Sequence, residues 1–106
     1  RFQPELMVVA LDGGAVVGSV MAGYEGHRGW LSRIAVLKSH REQGIGLKLL
    51  AEAERRLMAL GCTKVNLQVV DSNAAVVEFY QRSGYRVEPR ISMSKILRRD
   101  GRLRGP

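Results

Sequence analysis

The sequence lacks the features that would place it in a specialised class of proteins. It has one cysteine, Cys62, which excludes an internal disulfide framework and fits the reducing cytoplasm. Its two histidines and one cysteine lie far apart, so no metal-ligand spacing appears. No apolar run reaches the ~18 residues that a membrane span needs. The length of 106 residues predicts one small domain, and the sequence indicates neither a metal site nor a membrane span.

Acidic residues are also scarce, since 10 of them face 17 lysines and arginines. Residues 91–106 hold five of these basic side chains and one acidic one. A basic terminus can bind nucleic acid or an acidic partner, or it can be a solvated segment that favours solubility. No aromatic side chain interleaves with its arginines, so a base-stacking platform is not indicated. Nucleic acid is therefore not expected as a partner.

Apolar patterning predicts six strands and two helices. The strands are predicted at residues 5–11, 15–24, 30–37, 64–70, 85–88 and 91–97, and the helices at residues 47–60 and 74–83. Short turns join the first three strands, which predicts antiparallel neighbours. The helix at 47–60 connects strand 30–37 to strand 64–70, with only a short turn after the helix. This order indicates a crossover between parallel strands. The predicted fold class is therefore α/β, with an α+β type of mixed sheet.

Two glycines lie in the loop between the third strand and the first helix. A helix start directs several backbone N–H groups and the positive end of the helix dipole at one spot. Gly44 and Gly46 lack side chains, so a bulky anion can approach the chain closely. Arg41 adds a fixed cation at the rim. We therefore interpret the loop as a cradle for a phosphate or a pyrophosphate.

The loop is neither a P-loop nor a dinucleotide fingerprint. Leu47 rather than Lys-Ser/Thr follows the second glycine, and Leu49 stands where a third glycine should be. Instead, residues 41–46 (Arg-Glu-Gln-Gly-Ile-Gly) resemble the Arg/Gln-x-x-Gly-x-Gly/Ala motif of the GNAT superfamily of N-acetyltransferases. Residues 73–85 resemble a second pattern of that family, Asn-x-x-Ala-(x)-Phe/Leu-Tyr-x-x-x-Gly-Phe/Tyr. The run Ile-Ala-Val at 34–36 matches the strand before the loop.

These segments appear in the family's order and cover residues 18–85, most of the chain, with a closing strand that resembles small bacterial members. The resemblance implies a sheet whose central parallel strands, 30–37 and 64–70, splay apart. It implies one acyl-CoA-binding domain at residues 1–97 and a basic tail at 98–106. The family also places a strand and one or two helices before the hairpin. Because the chain begins at Arg1, we expect that segment to lie outside this sequence.

The resemblance implies acetyl-CoA as co-substrate, with its pyrophosphate in the loop and its pantetheine arm along strand 30–37. The implied cofactor-binding residues are Ile34, Ala35, Val36, Arg41, Glu42, Gln43, Gly44, Ile45, Gly46, Leu47, Asn73 and Tyr80. Two of them have ordinary alternatives. Asn73 is also a suitable helix cap. Arg41 could instead form a surface ion pair with Glu42 or Glu52.

The implied reaction is direct attack of an amine on the thioester, and the implied general acid is Tyr80. Its alternative is a core aromatic residue at helical spacing. The general base is less clear. Ribosomal-protein N-terminal acetyltransferases carry a Glu where this chain has Gln68, which cannot accept a proton. Glu25 and His27 are the remaining candidates for the base, and the ordinary pKa of a histidine suits a base at neutral pH. Two alternatives stay open: His27 is only an exposed residue of the turn, or a chain of water molecules carries the proton to solvent.

The acceptor stays open between a small-molecule amine and an amine of a peptide or protein. A non-catalytic acyl-CoA-binding or sensor module on the same fold is the alternative function. The uncovered edge at residues 5–11 makes a second copy of the chain a candidate partner. Cys62 follows Gly61 with no His or Asp nearby in sequence, so we expect a buried structural thiol.

Overall fold

The computed structural model describes residues 6–69 and 72–97. Four strands form one sheet in the order β1-β2-β3-β4, and two helices accompany it. The elements in chain order are β1 (Leu6–Asp12), β2 (Ala15–Tyr24), β3 (Gly29–Val36), a 3-10 turn (Lys38–His40), α1 (Ile45–Ala59), β4 (Val65–Asn66) and α2 (Ala74–Arg82). The predicted mixed α/β fold is confirmed.

The first three strands pair antiparallel, as predicted. Gly13 and Gly14 make the first turn with φ angles of 59° and 87°, a left-handed conformation that glycine adopts without strain. At Gly23, an added Cβ would collide with the ring of Trp30, so this glycine allows a close approach between β2 and β3. β1 forms one edge of the sheet.

Helix α1 covers one face of the sheet with an apolar stripe. Its fully buried residues are Leu49, Leu50, Ala53 and Leu57, and they pack against Val8, Val20, Ala22 and Leu31 of the strands. Burying each leucine contributes about 1.5–3 kcal/mol relative to leaving it in water. The spacing of three and four residues in the sequence predicts this stripe, with Leu60 as a fifth member, and the prediction is confirmed in these four residues. Leu60, predicted on the same face, is 39% exposed because it lies beyond the helix end.

The two parallel strands touch only at their beginnings. Gly29 pairs with Val65 and Trp30 pairs with Asn66, and no further pairing is found in the described residues. β3 then continues to Val36 without β4 beside it, so the predicted splay is present. The predicted strand at 64–70 is correspondingly reduced to two residues, because a strand needs a neighbouring backbone for its hydrogen bonds. Val70 lies outside the described residues.

The predicted strands at 85–88 and 91–97 are wrong for this structure. That stretch has no strand pairing, and the side chains of Ile91, Met93, Ile96 and Leu97 are 77–90% exposed. Side-chain bonds from Lys64 and Asn66 to Glu88 hold its beginning beside β4. Alternating apolar residues do not form a strand where no partner backbone is within reach. Glu5 and the tail at 98–106 lie outside the described residues.

Candidate active site

The loop between β3 and α1 presents a set of unbonded backbone amides. In the described part of the chain, none of the six amides from Glu42 to Leu47 donates to a protein acceptor. The first amide of the helix that is bonded belongs to Lys48, which donates to the Gly44 carbonyl at 3.1 Å. Gly44 caps the helix in a left-handed conformation, and no acidic side chain occupies the first turn. The helix start is therefore open to an anion.

Two features shape this loop besides its glycines. Glu42 has a φ of 62°, which costs a residue with a side chain about 1–2 kcal/mol. The Arg41 Nε donates to the Val36 carbonyl at 3.1 Å, so the arginine is tied to the end of β3. The alternative ion pair forms with neither Glu42 nor Glu52, and Glu52 binds Arg55 and Arg56 instead. The remaining guanidinium nitrogens of Arg41 have no partner in the described part of the chain and can bind a ligand.

Strand β3 contains a β-bulge that the sequence pattern did not predict. Val20 of β2 faces two residues of β3, Arg33 and Ile34, and Arg33 has a φ of 55°. Beyond the bulge, Ile34 and Val36 pack against the core while Ala35 is exposed. These three predicted arm-binding residues lie on the part of β3 that β4 does not cover. No sequence signal marks the bulge, because the residue in the left-handed position is an arginine rather than a glycine.

Helix α2 brings the second motif to the same region. Asn73 caps it, accepting from the Val76 amide at 3.4 Å, so the capping role is present. The ring of Phe79 lies 3.4 Å from the position that a Cβ on Gly46 would take, which places α2 against the beginning of α1. The predicted loop and the predicted second motif are therefore neighbours in space.

Tyr80 is 7% exposed and belongs to the core cluster. Its ring makes edge contacts with Phe79 at 5.2 Å and with Tyr85 at 5.5 Å between centroids. Burial raises the pKa of the Tyr80 phenol, so its proton is retained at neutral pH. Among the described residues its hydroxyl has no hydrogen-bond partner, and the residue lines the groove between β4 and α2. The tyrosine is thus both a core aromatic residue and a protonated donor beside a groove.

Glu25 and His27 lie in the exposed turn before β3. This turn and the anion loop adjoin opposite ends of an eight-residue strand, a separation of about 25 Å. Neither side chain has a hydrogen-bond partner among the described residues. The structure therefore does not bring these candidates to the anion loop. Gln68 is also exposed, and its amide is 3.4 Å from the Ser92 hydroxyl.

Glu88 also lines the groove between β4 and α2, and no motif in the sequence indicated this carboxylate. Glu88 accepts from Lys64 Nζ at 2.8 Å and from Asn66 Nδ2 at 2.9 Å. The bond from Lys64 is the main cause of the lowered pKa of Glu88, which makes it a weak base. Asn66 Oδ1 is buried and has no hydrogen-bond partner within residues 6–69 and 72–97. Cys62 is 5% exposed and its thiol donates to the Lys64 carbonyl, as expected of a structural thiol.

A loop with unbonded backbone amides precedes α1, and it lies beside two parallel strands that splay apart. This arrangement defines the fold class of acyl-CoA-dependent acetyltransferases. A model of the acetyltransferase (GNAT) family matches residues 1–85. The chain belongs to this family. The resemblance found in the motifs is thereby confirmed.

The relatives are bacterial proteins named as acetyltransferases. The chain is 40% identical over 94 residues to acetyltransferase YE1169 of Yersinia enterocolitica, covering 89% of this chain and 67% of that protein. It is 40% identical over 88 residues to acetyltransferase SG1711 of Sodalis glossinidius, covering 83% of this chain and 62% of that protein. The chain therefore spans about two thirds of the length of these relatives.

Solved structures share the fold. The aminoglycoside acetyltransferase AAC(6')-Iy, solved with a bisubstrate analogue of coenzyme A, superposes with a TM-score of 0.78 at 20% identity. The match covers 88% of this chain and 69% of that one. At this identity the likeness concerns the fold alone. In the part of the chain that the structure describes, neither helix has the length and apolar character needed to cross a membrane.

Proposed function

We propose that this chain transfers the acetyl group of acetyl-CoA to an amine. The observation that carries the proposal is the set of six unbonded amides from Glu42 to Leu47, which needs an acceptor and has none among the described residues. A diphosphate offers several oxygens to such a set and also gains from the helix dipole. Arg41 adds a charge-assisted bond from the rim.

The pantetheine arm is assigned to the gap between β3 and β4. Beyond Trp30, no strand of the described residues pairs with the β4 side of β3, so the backbone groups on that side can pair with an extended ligand. Ile34, Ala35 and Val36 provide this edge, and Asn73 stands at the beginning of α2. In this arrangement the family's binding residues hold the arm straight and direct the thioester toward Tyr80.

The proposed reaction is a direct transfer. The neutral amine nitrogen attacks the thioester carbon, a C–N bond forms, and the C–S bond breaks with its electron pair leaving on sulfur. Tyr80 donates its proton to the departing thiolate, and a backbone N–H of β3 stabilises the oxyanion. The amine loses its proton to water, with Glu25 or His27 as a relay to solvent.

A non-catalytic acyl-CoA-binding module remains the second candidate. It is favoured by one observation: within the described residues, no carboxylate or histidine forms a hydrogen bond with the Tyr80 hydroxyl. The acceptor is proposed at the level of an amine, either of a small molecule or of a peptide or protein. We keep the cytoplasm as the proposed compartment, since the free and buried Cys62 needs no oxidising environment.

A turnover assay separates the two candidates. Release of free coenzyme A from acetyl-CoA is measured with a panel of small amines and peptide amino termini. The proposal expects release that depends on an amine. It also expects thermal stabilisation by acetyl-CoA, about 2.7 kcal/mol at a hundredfold excess over the dissociation constant. Binding without release on any amine would support the module, and absence of both would refute the acyl-CoA site.

Pairing of two copies through β1 is proposed as the oligomeric arrangement. β1 is an edge strand, and its residues Met7, Val9 and Leu11 are 42–62% exposed. Such an edge invites a second strand. Sedimentation should then show a dimer that dissociates when Val9 is replaced by Lys. A monomer at high concentration would contradict this arrangement.

A further inference from the structure

We infer that Asp12 and His40 are positioning residues that hold the anion loop in its binding conformation. This inference rests on the proposed function, because the role of the loop is taken from it. His40 Nε2 lies 2.9 Å from Asp12 Oδ2, and His40 Nδ1 lies 2.8 Å from the Ser39 hydroxyl. We call Asp12, Ser39 and His40 the loop clamp.

The loop clamp joins two parts of the chain that are 28 residues apart in sequence. Asp12 is the last residue of β1, and His40 ends the 3-10 turn directly before Arg41. A neutral imidazole with its proton on Nε2 satisfies both bonds, donating to the carboxylate and accepting from the Ser39 hydroxyl. The ring is 24% exposed, so it is held between the hairpin and the loop.

A second tether acts just before the clamp. The Leu37 amide donates to the Val17 carbonyl at 2.8 Å, which fastens the beginning of the turn to β2. After His40, the Arg41 side chain returns to Val36, and the six unbonded amides follow. Among the described residues, the clamp is therefore the last side-chain hydrogen bond to the hairpin before the loop begins.

The loop needs such support because it is strained. Glu42, a residue with a side chain, holds a left-handed φ of 62°. Strained backbone persists only where the surrounding structure enforces it. The six amides make no hydrogen bonds to the described residues, so they do not help to hold the loop. A carboxylate–imidazole bond at its base supplies the missing constraint and preorganises the amides for an anion.

The test compares Asp12→Ala, His40→Ala and His40→Gln in the full chain. The alanine variants should weaken coenzyme A binding by about 3- to 10-fold, as expected for one lost hydrogen bond. The KM for acetyl-CoA should rise by the same factor while kcat stays unchanged. His40→Gln keeps an N–H that can reach Asp12 and should restore most of the affinity.

Acetyl-pantetheine, which lacks the diphosphate, distinguishes positioning from general damage. Its binding should be the same in all variants if the clamp acts only on the loop. Glu78→Ala is the matched control, since Glu78 is as exposed as Asp12 (65% and 67%) and pairs with Arg82 on α2. It should leave both ligands unaffected. Equal weakening of both ligands by Asp12→Ala would overturn the inference.

Hydrogen exchange of the unliganded chain provides a reading that does not depend on coenzyme A. Asp12→Ala should speed exchange at the amides of residues 42–47 and leave those in the middle of α1 unchanged. If the unsubstituted chain failed to bind coenzyme A, the proposed function would fail while faster exchange still supported the clamp. Unchanged exchange together with unchanged affinity would refute the clamp alone.

Discussion

The Tyr85 hydroxyl donates a 2.6 Å hydrogen bond to Glu54 Oε2, which joins the turn after α2 to the middle of α1. Burial and this bond raise the pKa of Tyr85 far above its ordinary value, so the phenol stays protonated. Tyr85→Phe removes the bond and keeps the ring contact with Tyr80. We expect a loss of about 1–2 kcal/mol in the free energy of unfolding, measured by urea titration.

Tyr24→Phe serves as the control for this prediction. Tyr24 is also partly buried, and its hydroxyl has no hydrogen-bond partner among the described residues. Its removal should change the free energy of unfolding by less than about 0.5 kcal/mol. Equal effects of the two substitutions would show that the bond to Glu54 contributes nothing specific.

The two loop glycines should respond in opposite ways to alanine. Gly44 has a φ of 79°, so Gly44→Ala should cost about 1 kcal/mol and weaken coenzyme A binding. Gly46 lies in the first turn of α1, and a Cβ there would meet Phe79 at an ordinary 3.4 Å. Gly46→Ala should therefore stabilise the chain by about 0.5–1 kcal/mol.

Coenzyme A affinity provides the second measurement on this pair. The family motif accepts alanine at the second glycine, so Gly46→Ala should keep an affinity close to that of the unsubstituted chain. Calorimetric titration of both variants checks this. A loss of binding in Gly46→Ala without a loss of stability would mean that the anion lies closer to Gly46 than the motif implies.

Local patterns were sufficient to predict much of this fold. The spacing of Leu49, Leu50, Ala53 and Leu57 predicted the buried face of α1, because helical periodicity is a property of neighbouring residues. Gly44 and Gly46 likewise predicted the loop, since a left-handed cap and a close approach both favour glycine.

Features that depend on distant pairing were not predictable in this way. The bulge at Arg33 follows from the register between β2 and β3, and no residue type in β3 indicates it. The shortness of β4 follows from where β3 turns away, and the clamp joins residues 28 positions apart. Of the candidate site, the loop and α2 were predicted, while the contact of Phe79 with Gly46 needed the packed structure.

Acid stability should depend on Glu52. Hydrogen bonds from Arg55 and then Arg56 lower its pKa from 4.5 to about 2. A carboxylate whose pKa is lower in the folded state stabilises the fold above its unfolded pKa. That contribution is lost as the pH falls from 4.5 toward 2. Glu52→Gln should therefore lower the urea midpoint at pH 7, and the difference should vanish near pH 2.

Salt provides the control for the Glu52 prediction. The three side chains are 33–68% exposed, so added salt should reduce the difference in urea midpoint between the unsubstituted chain and Glu52→Gln at pH 7. A difference that stays constant from pH 7 to pH 2 would show that the substitution acts through packing or helix propensity, and not through the charge.

A tight contact at the beginning of β3 predicts a coupled pair. A Cβ on Gly29 would lie 2.6 Å from Cys62 Sγ, and both residues are buried. Gly29→Ala should destabilise the fold by about 1–3 kcal/mol through overpacking. Cys62→Ala removes the sulfur, so in the double variant the cost of Gly29→Ala should largely disappear. Additive effects in this double-mutant cycle would contradict a direct clash.

The proposed role of Tyr80 as general acid can be tested by removing its hydroxyl. Within the described residues the Tyr80 hydroxyl has no partner, so Tyr80→Phe should keep the fold and the affinity for coenzyme A. If the hydroxyl protonates the leaving thiolate, kcat should fall by about 100-fold or more. Burial raises the pKa of Tyr80, so the phenol keeps its proton at neutral pH and is available as a donor there. An unchanged kcat in Tyr80→Phe, with stability also unchanged, would assign this tyrosine to the core alone.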